Sequence, residues 1–577
     1  MFRATAYLTH HVGGQTRRVR TDAADAQWCR RASPAPSGTG EFSLAEVDAT
    51  AEVPITGAKG AGRSTAIFAL WTAVSRVAGL VREIAAAALY GVGPTIDAFV
   101  VAFQVPNLLR SLVADAALSA AFVPTFTELD EQGRRKEAAQ LAGAFVGLIS
   151  LVLGIITLIA VVTAPWVMPL FAPNLPAGST QLLVHLSQIM FPIIVLLGLT
   201  GLVMGILQAN GEFASSAFVP VLWNGVIIAA LLIVAPMVDG DAKIYVYAIG
   251  ILIGTAVQLL YLLPGLRGKG PFRISLGRGN PHVRRVLGLM VPVTIGLGLI
   301  NFTLVINSYV ADKIPGEGAI RGIDAAFRLY ILPQGIFSVA VSTVLFPLIS
   351  RMAARGDISG MRQAVTDGTR QIFFLLIPAT VFLALLATPV TRLVYEHRSF
   401  DAAATDLTSS ALVFFTLGLV FNGGSLLFIR SFFALKKTWI PTKVSVGTLA
   451  VNAILDFALY KPMGVGGIAL ATSVASFAGF VAMGVLLRRE LGGLNVRWMS
   501  DGFVRTAIAS VWLGALAFGT WHALDSALGR SLPGQLVSVA VALVAAVAAY
   551  LSAARGVGLP ELRVMGRTLR SLRSTRA

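Results

Sequence analysis

Four arginines, Arg76, Arg82, Arg110 and Arg328, fall inside long apolar stretches of the chain. A guanidinium at bilayer depth costs roughly 2.5–3.5 kcal/mol even on the lenient insertion scale, so such residues usually meet a partner, a substrate or a water-filled cavity. Arginine suits phosphate. Its planar fork binds oxygens two at a time and stays charged in low dielectric. Arg76 and Arg82 are six residues apart, which on a helix points them about 120° apart and separates them by roughly 9 Å in depth. Glu83, seven residues after Arg76, shares its face. Glu83, Asp97 and Asp115 are the carboxylates that could neutralise the arginines, with Asp115 the expected partner of Arg110. Four cations set against them predict a cationic cavity for an anionic ligand. Pro106 and Asn107 precede Arg110, and Pro333 and Gly335 follow Arg328; each proline frees a backbone carbonyl and bends its helix.

A second polar set lies later, with Asn301 and Asn307 on one apolar stretch, Asn452 and Asp456 on another and Thr472 on a third. Asn452 and Asp456 are one helical turn apart and share a face. Oxygens from neighbouring helices could bind sodium, Asp456 could carry a proton, or the group could simply bond helices together. The six histidines are scattered and the one cysteine, Cys29, lies in the polar N-terminal segment, so no metal centre and no disulfide framework is expected. Gly57-Ala58-Lys59-Gly60-Ala61-Gly62-Arg63-Ser64 nearly fits a phosphate-binding loop, but carries Arg63 in place of lysine and runs straight into an apolar stretch. No residue set suggests catalysis, and the chain reads as a non-enzyme without cofactor.

The elements that must carry these residues are membrane helices. Of 577 residues, 55% are hydrophobic and 13% charged, with mean hydropathy +0.75, more apolar surface than a soluble fold can hide. The apolar runs are too long for barrel strands. The expected class is an all-α polytopic membrane protein with about fourteen transmembrane helices, starting near 64, 97, 138, 180, 213, 243, 286, 322, 364, 405, 439, 463, 501 and 534. The net charge of +17 sits mainly in loops after even-numbered spans, as with Arg134, Arg135 and Lys136 or Arg351, Arg355 and Arg362. That pattern places both termini in the cytoplasm and argues against nucleic acid as partner. Residues 1–62 are polar, lack the apolar core of a signal peptide and are expected to be a disordered cytoplasmic tail.

A faint repeat relates span 2 to span 8. Asp97-Ala98-Phe99 is followed at Pro106, and Asp324-Ala325-Ala326 at Pro333, by a proline nine residues on. Spans six apart run in the same direction, the parallel-repeat arrangement of transporters with a cavity between two lobes. The expected division is a tail at 1–62, an N-lobe at 63–270, a C-lobe at 271–490, two extra helices at 491–558 and a basic cytoplasmic tail at 559–577.

The run Ser75-Arg76-Val77-Ala78-Gly79-Leu80-Val81-Arg82-Glu83, then Asp97-Ala98-Phe99, Pro106-Asn107-Leu108-Leu109-Arg110 and Ala114-Asp115-Ala116-Ala117-Leu118-Ser119-Ala120-Ala121-Phe122-Val123-Pro124, resembles the MurJ/MviN family. A weaker likeness extends over all fourteen spans. The resemblance implies the exporter fold of multidrug and lipid-linked oligosaccharide transporters, and flipping of lipid II to the outer leaflet of the bacterial plasma membrane during peptidoglycan synthesis. It implies that Arg76, Arg82, Arg110, Arg328, Asp97, Asn107 and Asp115 contact the substrate, and that a coupling site for sodium or a proton would fall on Asn307, Asn452, Asp456 and Thr472, the alternative drive being the membrane potential. Expected partners are lipid II, membrane lipids and cell-wall enzymes. Ser111, Asp115-Ala116, Phe327, Ile331 and Asn307 depart from residues common in the family. Export of another polyprenyl-linked glycan, or a scaffold for cell-wall enzymes, is the alternative reading.

Overall fold

The structure, a computed structural model, describes residues 6–12, 15–21, 58–110, 122–210, 212–240, 242–268 and 273–562. Residues Met1–Gly60 and Ala61–Ala577 form separate units. In the first, within the tail expected to be disordered, strands β1 (Ala6–Val12) and β2 (Gln15–Thr21) pair antiparallel with Val12 opposite Gln15. The β-branched Thr9, Val12, Thr16, Val19 and Thr21 supply strand propensity that overall polarity hides.

The second unit is helical. Its elements are α1 (Ala58–Tyr90, beginning just before the unit), α2 (Pro94–Arg110), α3 (Val123–Glu131), α4 (Arg135–Val167), α5 (Ala177–Met190), α6 (Ile193–Ala209), α7 (Phe213–Ala229), α8 (Ala242–Leu262) and α9 (Pro281–Ala311). The series continues with α10 (Ala319–Pro333), α11 (Val339–Ala354), α12 (Ile358–Leu385), α13 (Ala387–Tyr395), α14 (Ala402–Ala434), α15 (Trp439–Glu490), α16 (Val496–Leu528) and α17 (Leu532–Gly556). Among the described residues, ten segments are long and apolar enough to cross a membrane. The expected fourteen is not reached by that measure. α15 counts once, although it carries two of the expected spans and leaves helical geometry at Gly464 (φ 56°, ψ −136°). Expected spans 1, 2 and 7 correspond to α1, α2 and α9.

Helix α4 shows why these segments need lipid. It buries Ala138, Ala142, Phe145, Ile149 and Leu153, yet exposes Leu151, Ile155, Leu158, Ile159 and Val162 on the other side. A helix apolar all round is stable only where its outer face also leaves water. Between helices, small residues permit close approach. A Cβ on Gly418 of α14 would stand 2.8 Å from the Ser473 Cα of α15, and one on Gly143 of α4 would stand 2.1 Å from the Arg273 carbonyl oxygen. Gly143 thus lets the connection between the two halves lie on α4, where the Ser275 N–H donates to its carbonyl at 3.2 Å.

In the second half Pro333 ends α10 in a π-helical turn, Gln334–Ser338, before α11 continues the same span. The freed backbone there includes Gly335. Helices α1 and α2 of the first half meet α10 of the second, and this meeting positions the charged residues.

Candidate functional site

Glu83, near the end of α1, is the hub. Its carboxylate takes Arg82 at 2.6 Å, Arg328 at 3.0 Å and Arg321 at 3.5 Å. Asp324, one turn before Arg328 on α10, accepts from Arg328 Nε at 2.8 Å and from the Arg321 guanidinium at 3.0 Å. Arg82, Glu83 and Arg321 are less than a tenth exposed, whereas the Arg328 side chain is about one-third exposed, at 32%. Arg82 also stacks over Trp223 of α7, 4.7 Å from the ring centroid. The guanidinium groups keep unused donors: Arg82 Nε and Arg321 Nε and Nη2 are buried with no partner among the described residues. Ion pairs this far from water hold only while their charges match, because removing one partner strands the other.

Asp97, in the first turn of α2, bonds across to the second half of the chain. It is buried and accepts the Arg321 backbone N–H at 2.7 Å. Arg321 lies in the first turn of α10, where backbone N–H groups have no partner within the helix. A carboxylate from the first half therefore caps a helix of the second, with the helix dipole in its favour. Gly318, just before α10, has φ 84°, and a Cβ there would come within 1.8 Å of Val92 Cγ1. Only glycine fits both the backbone and the space.

Further contacts join the halves at the same end of the molecule. The Asn174 N–H donates to Asp312 Oδ2 at 2.7 Å and its side-chain amide to the Asp312 carbonyl at 3.1 Å. The Ser399 N–H donates to the Ala88 carbonyl at 3.2 Å. Burial pushes the Asp312 carboxyl above its ordinary range, and the Asn174 donors act against that.

Arg76 lies apart from this cluster. Its side chain is exposed and donates to the Gly335 carbonyl at 3.3 Å in the π-helical turn. Among the described residues it has no carboxylate partner, and Glu83, on its helical face, pairs with the three other arginines instead. Asn107 is half-buried and has a partner of its own. Arg110 closes α2, and its side chain and the whole of Asp115 lie outside the described residues.

The second predicted set does come together. With the Asn307 amide turned to satisfy its surroundings, its nitrogen stands 3.0 Å from Asp456 Oδ2, 3.2 Å from Asn452 Oδ1 and 2.9 Å from the Thr303 carbonyl, while its oxygen accepts from Thr472 at 3.1 Å. Asn452 donates to Asp456 at 3.2 Å. Asn307, Asn452 and Asp456 are at most 2% exposed. The orientation of the Asn307 amide sets the chemistry here: with nitrogen inward it bonds the carboxylate, and with oxygen inward the same atoms form the kind of oxygen cluster that holds a hard cation. Among the described residues, no three His, Cys, Asp or Glu side chains form a metal site.

Two buried arginines escaped the sequence reading. Arg321 stands just before the expected start of span 8, three residues before Asp324. Arg370 of α12 is 1% exposed and bonds Glu561 at 2.5 Å and the Trp498 carbonyl at 2.6 Å, stacked 3.7 Å from the Trp498 ring. It ties α16 and the segment after α17 to α12. Its place past the expected start of span 9, near 364, was the available signal.

The sequence profile described as "Lipid II flippase MurJ" matches residues 86–530. The lipid II flippase MurJ of Burkholderia cenocepacia is 31% identical over 462 residues, 78% of this chain and 88% of that one. The probable lipid II flippase MurJ of Rhizobium tropici is 31% identical over 516 residues, covering 86% and 95%. Among solved structures, a lipid II flippase MurJ in an inward closed conformation superposes with TM-score 0.70 at 24% identity over 85% of this chain and 99% of that one. An inward-facing multidrug transporter of the MATE family gives TM-score 0.62 at 16% identity, covering 72% and 94%. With its charged cluster carried on that many-helix frame, this multi-pass membrane chain belongs to the lipid II flippase MurJ family.

Proposed function

We propose that the protein moves lipid II from the cytoplasmic to the outer leaflet of the bacterial plasma membrane by alternating access, as a transporter and not as a catalyst. The observation that carries this reading is the cluster on Glu83, in which arginines of both halves share one carboxylate beside Arg76, which has no carboxylate partner among the described residues. Loop charges favour cytoplasmic termini, which puts the Glu83 cluster and the Asp97 cap toward the outer surface. The arrangement is then a closed outer gate. A diphosphate reaching Arg76 from the cytoplasm competes with Glu83 and Asp324 for Arg328 and Arg82. Exchange of carboxylate for phosphate releases the contacts between halves, and the outer side opens.

Energy enters through charge. The inside-negative potential contributes about 2.3 kcal/mol per elementary charge per 100 mV. A cavity whose arginines offset the substrate returns empty and positive, drawn toward the cytoplasm. Protonation of Asp456 is a second point of coupling, supported by its neutral surroundings. Depleting the protein and assaying lipid II by leaflet tests the reading. Lipid II accumulating in the inner leaflet supports it, and unchanged outer-leaflet lipid II overturns it.

A further inference from the structure

A groove of about 450 Å³ runs along the last turns of α1, where Val81 and Leu89 face Leu231 and Leu232 of the segment after α7. Its size lies in the range of small-ligand sites. Leu231 and Leu232 belong to a π-helical turn, Ala230–Val234, a local widening that recurs at functional sites. The lining is apolar except at one end, where His397 and Arg398 from the loop between α13 and α14 close it. Arg398 is exposed and holds φ 53°, which side chains other than glycine rarely adopt.

The carboxylates nearest in that loop are engaged elsewhere. Glu396 pairs with Arg392 at 3.5 Å and accepts from the Thr405 hydroxyl at 2.7 Å, while Asp401 caps α14 through the Ala404 N–H at 2.8 Å. Among the described residues, Arg398 has no ion-pair partner. His397 Nε2 is 3.1 Å from the Leu393 carbonyl and donates to it, so Nδ1 presents a lone pair that accepts from a headgroup hydroxyl. A cation at the polar end of an apolar trough in the membrane complements a lipid with a charged phosphate.

We propose that this groove binds an anionic phospholipid of the outer leaflet, one acyl chain along α1, its phosphate on Arg398 and a headgroup hydroxyl, such as that of a glycerol, on His397 Nδ1. The groove is too small for a long prenyl tail, which sets the occupant apart from the transported substrate. The site is built from both halves. It exists only while Ser399 is docked on Ala88 and Leu89, so the lipid stabilises the closed outer side and must leave before opening. The placement in the outer leaflet rests on the orientation proposed above; the binding itself does not.

The full-length protein, purified in zwitterionic detergent, would be titrated with phosphatidylglycerol or phosphatidylethanolamine while thermal unfolding is followed. Phosphatidylglycerol should raise the melting temperature and phosphatidylethanolamine should not. Arg398→Gly suits the backbone angle, so it removes the charge without new strain, and should weaken the apparent affinity about tenfold. Leu232→Trp should block the groove and abolish the response. An equal response to both phospholipids, an unchanged response in Arg398→Gly, or a response to undecaprenyl diphosphate alone would overturn the proposal. Labelling of Arg398→Cys in a Cys29→Ser background by an impermeant thiol reagent on intact cells tests the leaflet separately: labelling from outside supports it, and labelling only after permeabilisation overturns it.

Discussion

Glu83 and Asp456 are both buried carboxylates inside membrane helices, and they solve the same problem in opposite ways. Glu83 is matched by guanidinium groups from both halves of the chain. Asp456 has only amides and a hydroxyl around it, all from the second half. The first arrangement makes a charge balance that spans the moving boundary, so a competing anion can break it. The second has no cation among its described partners, and in the function proposed above a proton supplies the balance. On that proposal the first site governs which side is open, and the second couples a proton to the cycle.

The sharpest way to break this contrast is to remove the hub. Glu83→Gln leaves three arginines sharing fewer negative charges, and loss of one partner of a buried pair costs about 3–5 kcal/mol. The outer closure should fail, and a cysteine at Val92, in a Cys29→Ser background, should become reactive to an impermeant thiol reagent added outside. Asp97→Ala should act in the same direction but less, by about 1–2 kcal/mol, the usual worth of a helix cap. Asp97→Asn keeps an acceptor for the Arg321 N–H and should lie close to the parent in the same assay.

Asp456→Asn should leave folding within about 1 kcal/mol of the parent, since neutral partners already surround it. Its effect should instead be a flattened pH dependence of flipping in proteoliposomes. The smallest expected effect, and the most discriminating, belongs to Asn307→Asp. Replacing the central amide by a second carboxylate should create a sodium response in thermal unfolding that the parent lacks. A parent that already responds to sodium but not to potassium would show that the amide does not fill the site.

Much of this was legible in the sequence. The arginines inside apolar runs announced a charged site, and Asn452 and Asp456 at a spacing of four announced a shared face. Partner choice was less legible. Helical spacing put Glu83 with Arg76, yet the carboxylate turns to Arg82 beside it and to α10, because long side chains reach across a helix junction that periodicity within one helix cannot describe. Arg321 was hidden by its place at a helix start, where a charge usually meets water. The family resemblance gave Asp97 as a substrate contact, and no spacing within α2 shows its bond to α10. That bond takes a first-turn backbone N–H, which is positioned only once α10 has formed against α2.

The central claim is that arginines of the two halves hold the substrate's diphosphate in turn with Glu83. It is tested most directly by assaying leaflet-specific lipid II in depleted cells complemented with Arg76→Ala or Arg328→Ala, each verified at parental membrane levels. Outer-leaflet lipid II falling to the depleted background with either variant is the predicted result. Parental levels of outer-leaflet lipid II with both would contradict it.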